Sequence, residues 1–233
     1  MIKSFVLFCI KLVRFYWHQP NIKRSLENLN ISNAFDVGAH KGQTVNYLLG
    51  LKNIKKIYSF EPQDIPFKDL KKKHKNNKKV ILNKIALSNS RKKKIFYINE
   101  FSETSTFSKI NKNSTWLKIK NKILDKKDSM LDTVVIRTST LDAYVNKNKI
   151  KTIDLLKIDT EGHELEILKG SINTMKKNKI KYILIELHTS KMYKNYSKEK
   201  IEKFLNKNNF ILLKKFKFPF HTFVDSLYRH KKI

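Results

Sequence analysis

The sequence is poor in cysteine, glycine and proline. Cys9 is the single cysteine among 233 residues, which also include only five glycines and four prolines. One cysteine excludes an intramolecular disulfide framework and any cysteine-rich zinc site, and it favours a reducing compartment. We therefore expect a cytoplasmic protein.

Acidic residues are also few. Twenty Asp and Glu residues stand against fifty Lys and Arg residues, for a net charge of +30. Such an excess is typical of nucleic-acid-binding proteins. However, only five of the fifty are arginine, the residue best suited to bidentate recognition of phosphates and bases. Because the lysines are spread along the whole chain, we interpret them mainly as a solvated surface and expect no specific nucleic-acid partner.

Long hydrophobic runs are absent as well. Lys11 and Arg14 interrupt the apolar first eighteen residues, so no stretch is long enough to span a bilayer. The polar residues of this segment fall on one arc of a helical wheel, which predicts an amphipathic helix ended by Pro20. Two partners for its wide apolar face stay open. One is the protein itself, through its own domain or a second subunit of a homo-oligomer. The other is a membrane interface contacted through residues 1–18, with the basic side outward.

The remaining sequence alternates predicted strands and helices. A helical N-terminal extension (1–30) precedes one domain (31–233), for which we expect an α/β fold with a doubly wound, mostly parallel sheet. Ligands of such sheets bind at the C-terminal ends of the strands. The predicted strands include Lys56–Phe60, Val80–Ala86, Ile153–Ile158, Tyr182–Leu187, Phe210–Phe216 and His221–Val224, and the predicted helices include Glu161–Lys177 and Lys198–Asn208.

Residues 95–138 do not continue the alternation of predicted strands and helices. Short alternating pieces at Ile95–Ile98 and Thr133–Arg137 predict a β hairpin. The lysine-rich loop between them, residues 111–128, serves either as an active-site lid or as disordered filler.

The most informative stretch is residues 33–44, N-A-F-D-V-G-A-H-K-G-Q-T. Gly38 and Gly42 flank a turn from a strand into a helix, where glycine lets the backbone approach a ligand and free N–H groups face it. Glu61, at the end of the next strand, is placed to accept hydrogen bonds from ribose hydroxyls. His40 stands where a dinucleotide fingerprint has its middle glycine, so a pyrophosphate would be crowded. The pattern favours S-adenosyl-L-methionine (SAM), with an NAD-dependent oxidoreductase as the alternative enzyme.

Polar residues that a core does not need follow two later strands. Asp159 ends one strand, and Glu161 is expected on the sheet-facing stripe of the next helix. Glu186 and His188 share a face at the end of the neighbouring strand. These four groups are expected to converge on one edge, unless Asp159 and Glu161 only cap the helix. Lys157, buried in a central strand, needs a partner, and we predict Glu186.

Six motifs then resemble, in order and spacing, the FkbM family of SAM-dependent methyltransferases. They are F-D-V-G-A-H-K-G, F-E-P, I-A-L-S, T-S-T-L-D-A-Y, L-L-K-I-D-T-E-G-H-E-L-E-I-L-K-G and I-E-L-H. The resemblance runs from about Ala34 to Val224 and implies a class I, Rossmann-like methyltransferase fold with a seven-stranded sheet. It also implies methyl transfer to a hydroxyl of a sugar in a glycan, surface polysaccharide or related natural product. By position it implies cofactor-binding roles for Asp36, Gly38, Ala39, Gly42, Glu61 and Asp159.

Both lines of reasoning predict the same chemistry. SAM carries an activated methyl group, so the protein must align a hydroxyl with it and remove the hydroxyl proton. We predict His188 as the base, oriented by Glu186 or Glu161, with Asp159 completing the catalytic cluster. A divalent cation held by the carboxylates is the second mechanism, although no residue is assigned as a metal ligand. A non-catalytic SAM-fold protein that binds anionic polymers is the alternative from another class.

Overall fold

The computed structural model of the chain describes residues 8–9, 12–115, 118, 130–218 and 223–233. Strands β1 to β10 are Asn33–Val37, Lys56–Phe60, Val80–Asn83, Ala86–Leu87, Lys93–Asn99, Met130–Ser139, Ile153–Ile158, Ile180–His188, Phe210–Lys217 and Phe223–His230. Helices α1 to α7 are Gln19–Glu27, Gln43–Leu49, Asp64–His74, Leu141–Lys147, Glu164–Lys169, Ile172–Lys176 and Lys198–Lys207. A π-helical turn, Arg14–His18, directly precedes α1.

Seven strands form one sheet in the order β3-β2-β1-β7-β8-β10-β9. All neighbours are parallel except β10, which runs antiparallel to both β8 and β9. The predicted doubly wound, mostly parallel sheet of seven strands is therefore confirmed. The closing strand extends to His230, well beyond the predicted end at Val224, while His221 and Thr222 lie outside the described residues.

The sheet is buried on both faces. Every residue of β7 is buried, and its alternating side chains enter two different cores, as Leu155 and Leu156 show. Helices cover both sides of a parallel sheet in this way. The ends of β1 and β7 lie side by side at the point where the strand order reverses, so a crevice opens there.

A second, three-stranded sheet in the order β4-β6-β5 holds the predicted hairpin. Strands β5 and β6 pair antiparallel with Ile95 opposite Val135, as expected. The third strand was predicted wrongly as Val80–Ala86, because β3 ends at Asn83 and Ala86 pairs with Thr138 in the second sheet. An apolar run does not reveal where the chain changes from one sheet to another.

The predicted single helix Glu161–Lys177 is wrong as well. The chain forms α5 and α6, which are separated at Gly170 and Ser171. Asp142 on α4 explains the break, since its N–H binds the Gly170 carbonyl and its carboxylate accepts the N–H groups of Asn173 and Thr174 at the start of α6. A side chain distant in sequence therefore caps the second helix.

The N-terminal helix differs most from expectation. Pro20 does not end it, because Pro20 lies in the first turn of α1, where its missing N–H is tolerated beside the π-helical turn. The polar side also faces inward: His18 is 3% exposed and bonds Asp225. Of the partners left open for the apolar face, the protein's own domain does not cover the side chains of Phe8, Leu12, Tyr16 and Trp17, which are exposed. Within the described residues, no helix combines the length and apolar character needed to cross a membrane.

Candidate active site

The turn between β1 and α2 is shaped by Gly38. Its φ angle is +85°, and a Cβ on this residue would lie 1.9 Å from the Asp159 carbonyl oxygen. Glycine is required here because the end of β7 passes so close, whatever ligand is bound. The N–H groups of Gly38 and Ala39 both donate to the Phe60 carbonyl oxygen at 3.0 Å. These two N–H groups are therefore engaged within the turn, whereas the N–H groups expected to face a ligand are those at the start of α2, and that expectation stays a prediction.

Three of the residues assigned to cofactor binding do not reach the crevice. A Cβ on Gly42 would meet His74 and Leu70 of α3, so this glycine permits two helices to approach. Ala39 is 2% exposed and packs in the core beneath α2. Asp36 is fully buried and lies under the turn. Spacing in the sequence placed all three residues near the loop but did not show that they face away from the crevice.

Gly38, Glu61 and Asp159 do line a cleft, together with Glu161. The cleft opens to solvent. Its apolar wall consists of Val37, Phe60, Ile85, Ala86, Leu87, Phe96 and Phe107. A cleft with an apolar wall and a few polar groups suits a nucleoside, whose base is flat and whose sugar carries hydroxyls.

Glu61 is the buried carboxylate of this cleft. It is 2% exposed, and its Oε2 and Oε1 accept the N–H groups of His40 at 2.9 Å and Gln63 at 2.8 Å. Burial raises the pKa of Glu61 to about 7, although these two hydrogen bonds act in the opposite direction. No described cation forms an ion pair with it. A carboxylate held in this way retains lone pairs for a ligand.

The excursion after β5 covers one side of the cleft. Ser102, in a short 3₁₀ turn, accepts from Gln63 through its carbonyl oxygen, and its hydroxyl lies 2.8 Å from His40 Nε2. Phe96 and Phe107 pack edge to face beside this turn. This part of the excursion forms a wall. Of the lysine-rich loop (111–128), only 111–115 and 118 belong to the described residues, so the proposed lid mostly lies outside them.

Lys157 does not pair with Glu186, which corrects the sequence prediction. Its Nζ lies 3.4 Å from Asp36 Oδ1 and 3.1 Å from Asp159 Oδ2. The register explains this choice, since Lys157 stands directly opposite Asp36 on β1 but opposite Leu184, two residues before Glu186, on β8. Burial opposes the ionised forms of Lys157 and Asp159. The attraction between these two charges nevertheless lowers the pKa of Asp159 and raises the pKa of Lys157. Burial raises the pKa of Asp36 despite Lys157.

The turn after β7 is held by Glu164. This residue is fully buried, and its Oε1 accepts the N–H groups of Thr160 at 3.1 Å and Gly162 at 3.0 Å. The N-terminus of α5 at His163 has no side-chain cap, so neither Asp159 nor Glu161 caps this helix. Glu161 is not on the helix as predicted but in this turn, with φ at +55°. Its side chain nevertheless points into the crevice.

Glu161, Glu186 and His188 come together beside the cleft. His188 Nε2 lies 3.5 Å from Glu161 Oε2 and 4.0 Å from Glu186 Oε1. His188 is 5% exposed, and its Nε2 has no hydrogen-bond partner among the described residues. Burial, and then the charges of Asp159, Asp225 and Glu161, raise the pKa of Glu186 well above its usual value. One ligand atom from each of the three residues lies within 4.8 Å of the others, a spacing that a divalent cation could also use.

Sequence reasoning missed the residues that surround His188. The Tyr193 hydroxyl donates a short hydrogen bond to Glu161 Oε2. The Tyr196 hydroxyl accepts a hydrogen bond from the backbone N–H of His188 at 2.9 Å. Both rings meet the imidazole edge to face, with centroids 4.9 and 5.6 Å away. Arg14 Nη2 reaches to 3.9 Å from Glu186. The tyrosines follow β8 closely in sequence, which was an available signal, whereas nothing local pointed to Arg14.

A family model for the methyltransferase FkbM domain matches residues 36–212. The chain belongs to the FkbM methyltransferase family. Over 56 residues it is 32% identical to the hexuronic acid methyltransferase AglP of Haloferax volcanii, a match that covers 24% of this chain and 23% of AglP. The resemblance seen in the motifs is therefore confirmed.

Solved structures show the same fold as this FkbM-family protein. The methyltransferase FkbM of Methylobacillus flagellatus KT aligns with a TM-score of 0.55 and 13% identity, over 86% of this chain but only 44% of that longer one. A SAM-dependent methyltransferase from Aquifex aeolicus aligns over 97% of both chains, with a TM-score of 0.51 and 14% identity. The Rossmann-like methyltransferase fold is confirmed by these neighbours.

Proposed function

We propose that this protein transfers a methyl group from SAM to a hydroxyl oxygen of a sugar in a glycan, surface polysaccharide or related natural product. The observation that carries the proposal is the position of Glu161. This residue lines the cleft, and its Oε2 also lies 3.5 Å from Nε2 of the buried His188. A donor cleft and a proton acceptor therefore meet at one carboxylate.

The donor side is supported by Glu61, Gly38 and Asp159. Glu61 is placed to accept the ribose hydroxyls, and the apolar wall opposite suits an adenine ring. Asp159 and Glu161 bring negative charge to a cleft that would receive a sulfonium. His40, in the turn, is held by Ser102 and leaves little room for a pyrophosphate, which disfavours an NAD-dependent oxidoreductase.

The acceptor side uses His188. When bound, SAM supplies an electrophilic methyl group, which passes to the acceptor oxygen as the bond to sulfur breaks. His188 Nε2 takes the hydroxyl proton, and Glu161 and Glu186 stabilise the imidazolium that results. Tyr193 fixes the Glu161 carboxylate, and the protein walls hold the hydroxyl in line with the methyl group. A divalent cation on Glu161, Glu186 and His188 is the second mechanism, since those residues have a suitable spacing.

The sugar acceptor is supported by the short match to AglP, which is named as a methyltransferase of a hexuronic acid.

We place the protein in the cytoplasm, where the free thiol of Cys9 remains reduced.

Calorimetry with SAM, S-adenosylhomocysteine and NAD tests the donor assignment. We expect the first two to bind the wild-type protein and NAD not to bind. Glu61→Ala should abolish SAM binding while the protein stays folded, at a lower melting temperature because the N–H groups of His40 and Gln63 lose their acceptor. The exposed Glu199→Gln should bind normally. SAM affinity near the wild-type value in folded Glu61→Ala would remove the cofactor argument, and selective NAD binding would favour the oxidoreductase.

A further inference from the structure

The first described helical segment carries an apolar face that points to solvent. Phe8, Leu12 and Tyr16 follow one another at intervals of four residues, a spacing that brings side chains to neighbouring positions on a helix, and Trp17 follows Tyr16 and extends the apolar surface. Their exposures are 57%, 37%, 71% and 52%. We call these four residues the outer helix face. Together they expose more apolar surface than scattered single residues normally do.

Contacts on the opposite side fix this orientation. His18 is buried, bonds Asp225 Oδ2 at 2.6 Å and meets the rings of Phe218 and Phe223 edge to face. The guanidinium of Arg14 lies over the Phe223 ring, 5.7 Å from its centroid. Rotating the helix to bury the outer helix face would break these contacts and leave Asp225 buried without its partner. The apolar face is therefore held outward by the polar one.

The N-terminal sequence that carries this face is rich in cations. The sequence contains no acidic residue before Glu27, but it contains five cations there, namely Lys3, Lys11, Arg14, Lys23 and Arg24. The edge strand β9 adds one lysine beside the helix, because Lys214 Nζ donates to Ser25 Oγ of α1 at 2.9 Å. A negatively charged partner would be attracted to this region.

We propose that the outer helix face binds the surface of a membrane that contains anionic lipids, with the helix lying along the interface. Tyr and Trp favour the level of the lipid headgroups, and aliphatic side chains enter the acyl region below them. Lysines and arginines around the helix attract the anionic headgroups. A second copy of this chain fits less well, since it would bring two clusters of cations against each other.

Co-sedimentation of the full chain with vesicles tests the proposal. The vesicles contain phosphatidylcholine alone or phosphatidylcholine with phosphatidylserine. We expect binding to the anionic vesicles, reduced by salt, and a blue shift of Trp17 fluorescence in a chain whose other tryptophan is removed by Trp116→Phe. Tyr16→Ser combined with Trp17→Ser should weaken binding by about tenfold or more. Ile65→Ser, which removes an isolated apolar residue with 71% exposure, should leave binding unchanged.

Three results would overturn the proposal. The first is that the wild-type chain does not bind the vesicles, or that the Tyr16→Ser, Trp17→Ser chain, with a normal melting curve, binds them equally well. The second is equal binding to neutral and anionic vesicles, which would refute the role of charge. The third is a dimer in lipid-free buffer that the double substitution dissociates, since the occupant would then be a second copy.

Discussion

At the scale of single residues, the proposed role of Glu61 predicts a pH dependence of SAM binding. Its pKa is raised by burial to about 7, against 4.5 for a free glutamate, and only the ionised form accepts hydrogen bonds from both ribose hydroxyls. Affinity for SAM should therefore rise between about pH 6 and about pH 8. Calorimetry over this range checks the slope, and Glu61→Gln should bind weakly with no such slope. An equal slope in that variant would assign the titration to another group.

The raised pKa of Glu61 affects the stability of the folded protein in the opposite direction, because stability falls as the pH rises. Because the folded pKa lies above the unfolded one, the stabilising effect is complete below about pH 4.5 and is lost as the pH rises through about 7. The ligand-free wild-type protein should therefore lose more thermal stability over that interval than Glu61→Gln does. Melting curves without ligand separate this effect from binding.

His188 carries the proposed proton transfer. His188→Gln should keep SAM affinity within a few-fold and lower the methylation rate by about two to four orders of magnitude. Chelation should leave the wild-type rate unchanged. If a chelator abolishes activity and a divalent ion restores it, the metal mechanism holds instead. Full activity of His188→Gln without chelator sensitivity would contradict both mechanisms.

At the scale of elements, Glu164 holds the turn that positions Glu161. Glu164→Ala leaves the buried N–H groups of Thr160 and Gly162 without their acceptor, so unfolding free energy should fall by about 1 to 3 kcal/mol. The matched control is Glu166→Ala on the same helix, whose surface contact with Lys169 should matter by less than about 0.5 kcal/mol. Chemical denaturation measures both. Equal effects of the two substitutions would refute the role of Glu164 in holding this turn.

Local sequence patterns predicted the central strands well. The bounds of β2 and β7 agree with the prediction. They also placed Glu161, Glu186 and His188 near one another, since neighbouring parallel strands end at the same edge. The errors depend on contacts between residues far apart in sequence. Asp142 breaks the predicted long helix, and Asp225 turns the polar side of the N-terminal helix inward.

At the scale of the whole molecule, the charge of +30 should act without sequence specificity. We expect duplex DNA to bind weakly, with a steep dependence on salt, and to dissociate near physiological ionic strength. Titrations of fluorescent duplexes with different sequences, at several salt concentrations, check this. Tight and sequence-selective binding at physiological salt would instead support a nucleic-acid-binding protein.

The fold joins the donor cleft and the proposed acceptor site at the ends of β1, β7 and β8. Methyl transfer from isotope-labelled SAM to a panel of neutral and acidic sugars, followed by NMR of the product, tests this arrangement most directly. We predict that the label appears on a hydroxyl oxygen as a methyl ether, and that His188→Gln abolishes nearly all of it. A label on nitrogen, carbon or a carboxyl group would contradict the account, as would oxidation of the sugar with NAD in place of methylation.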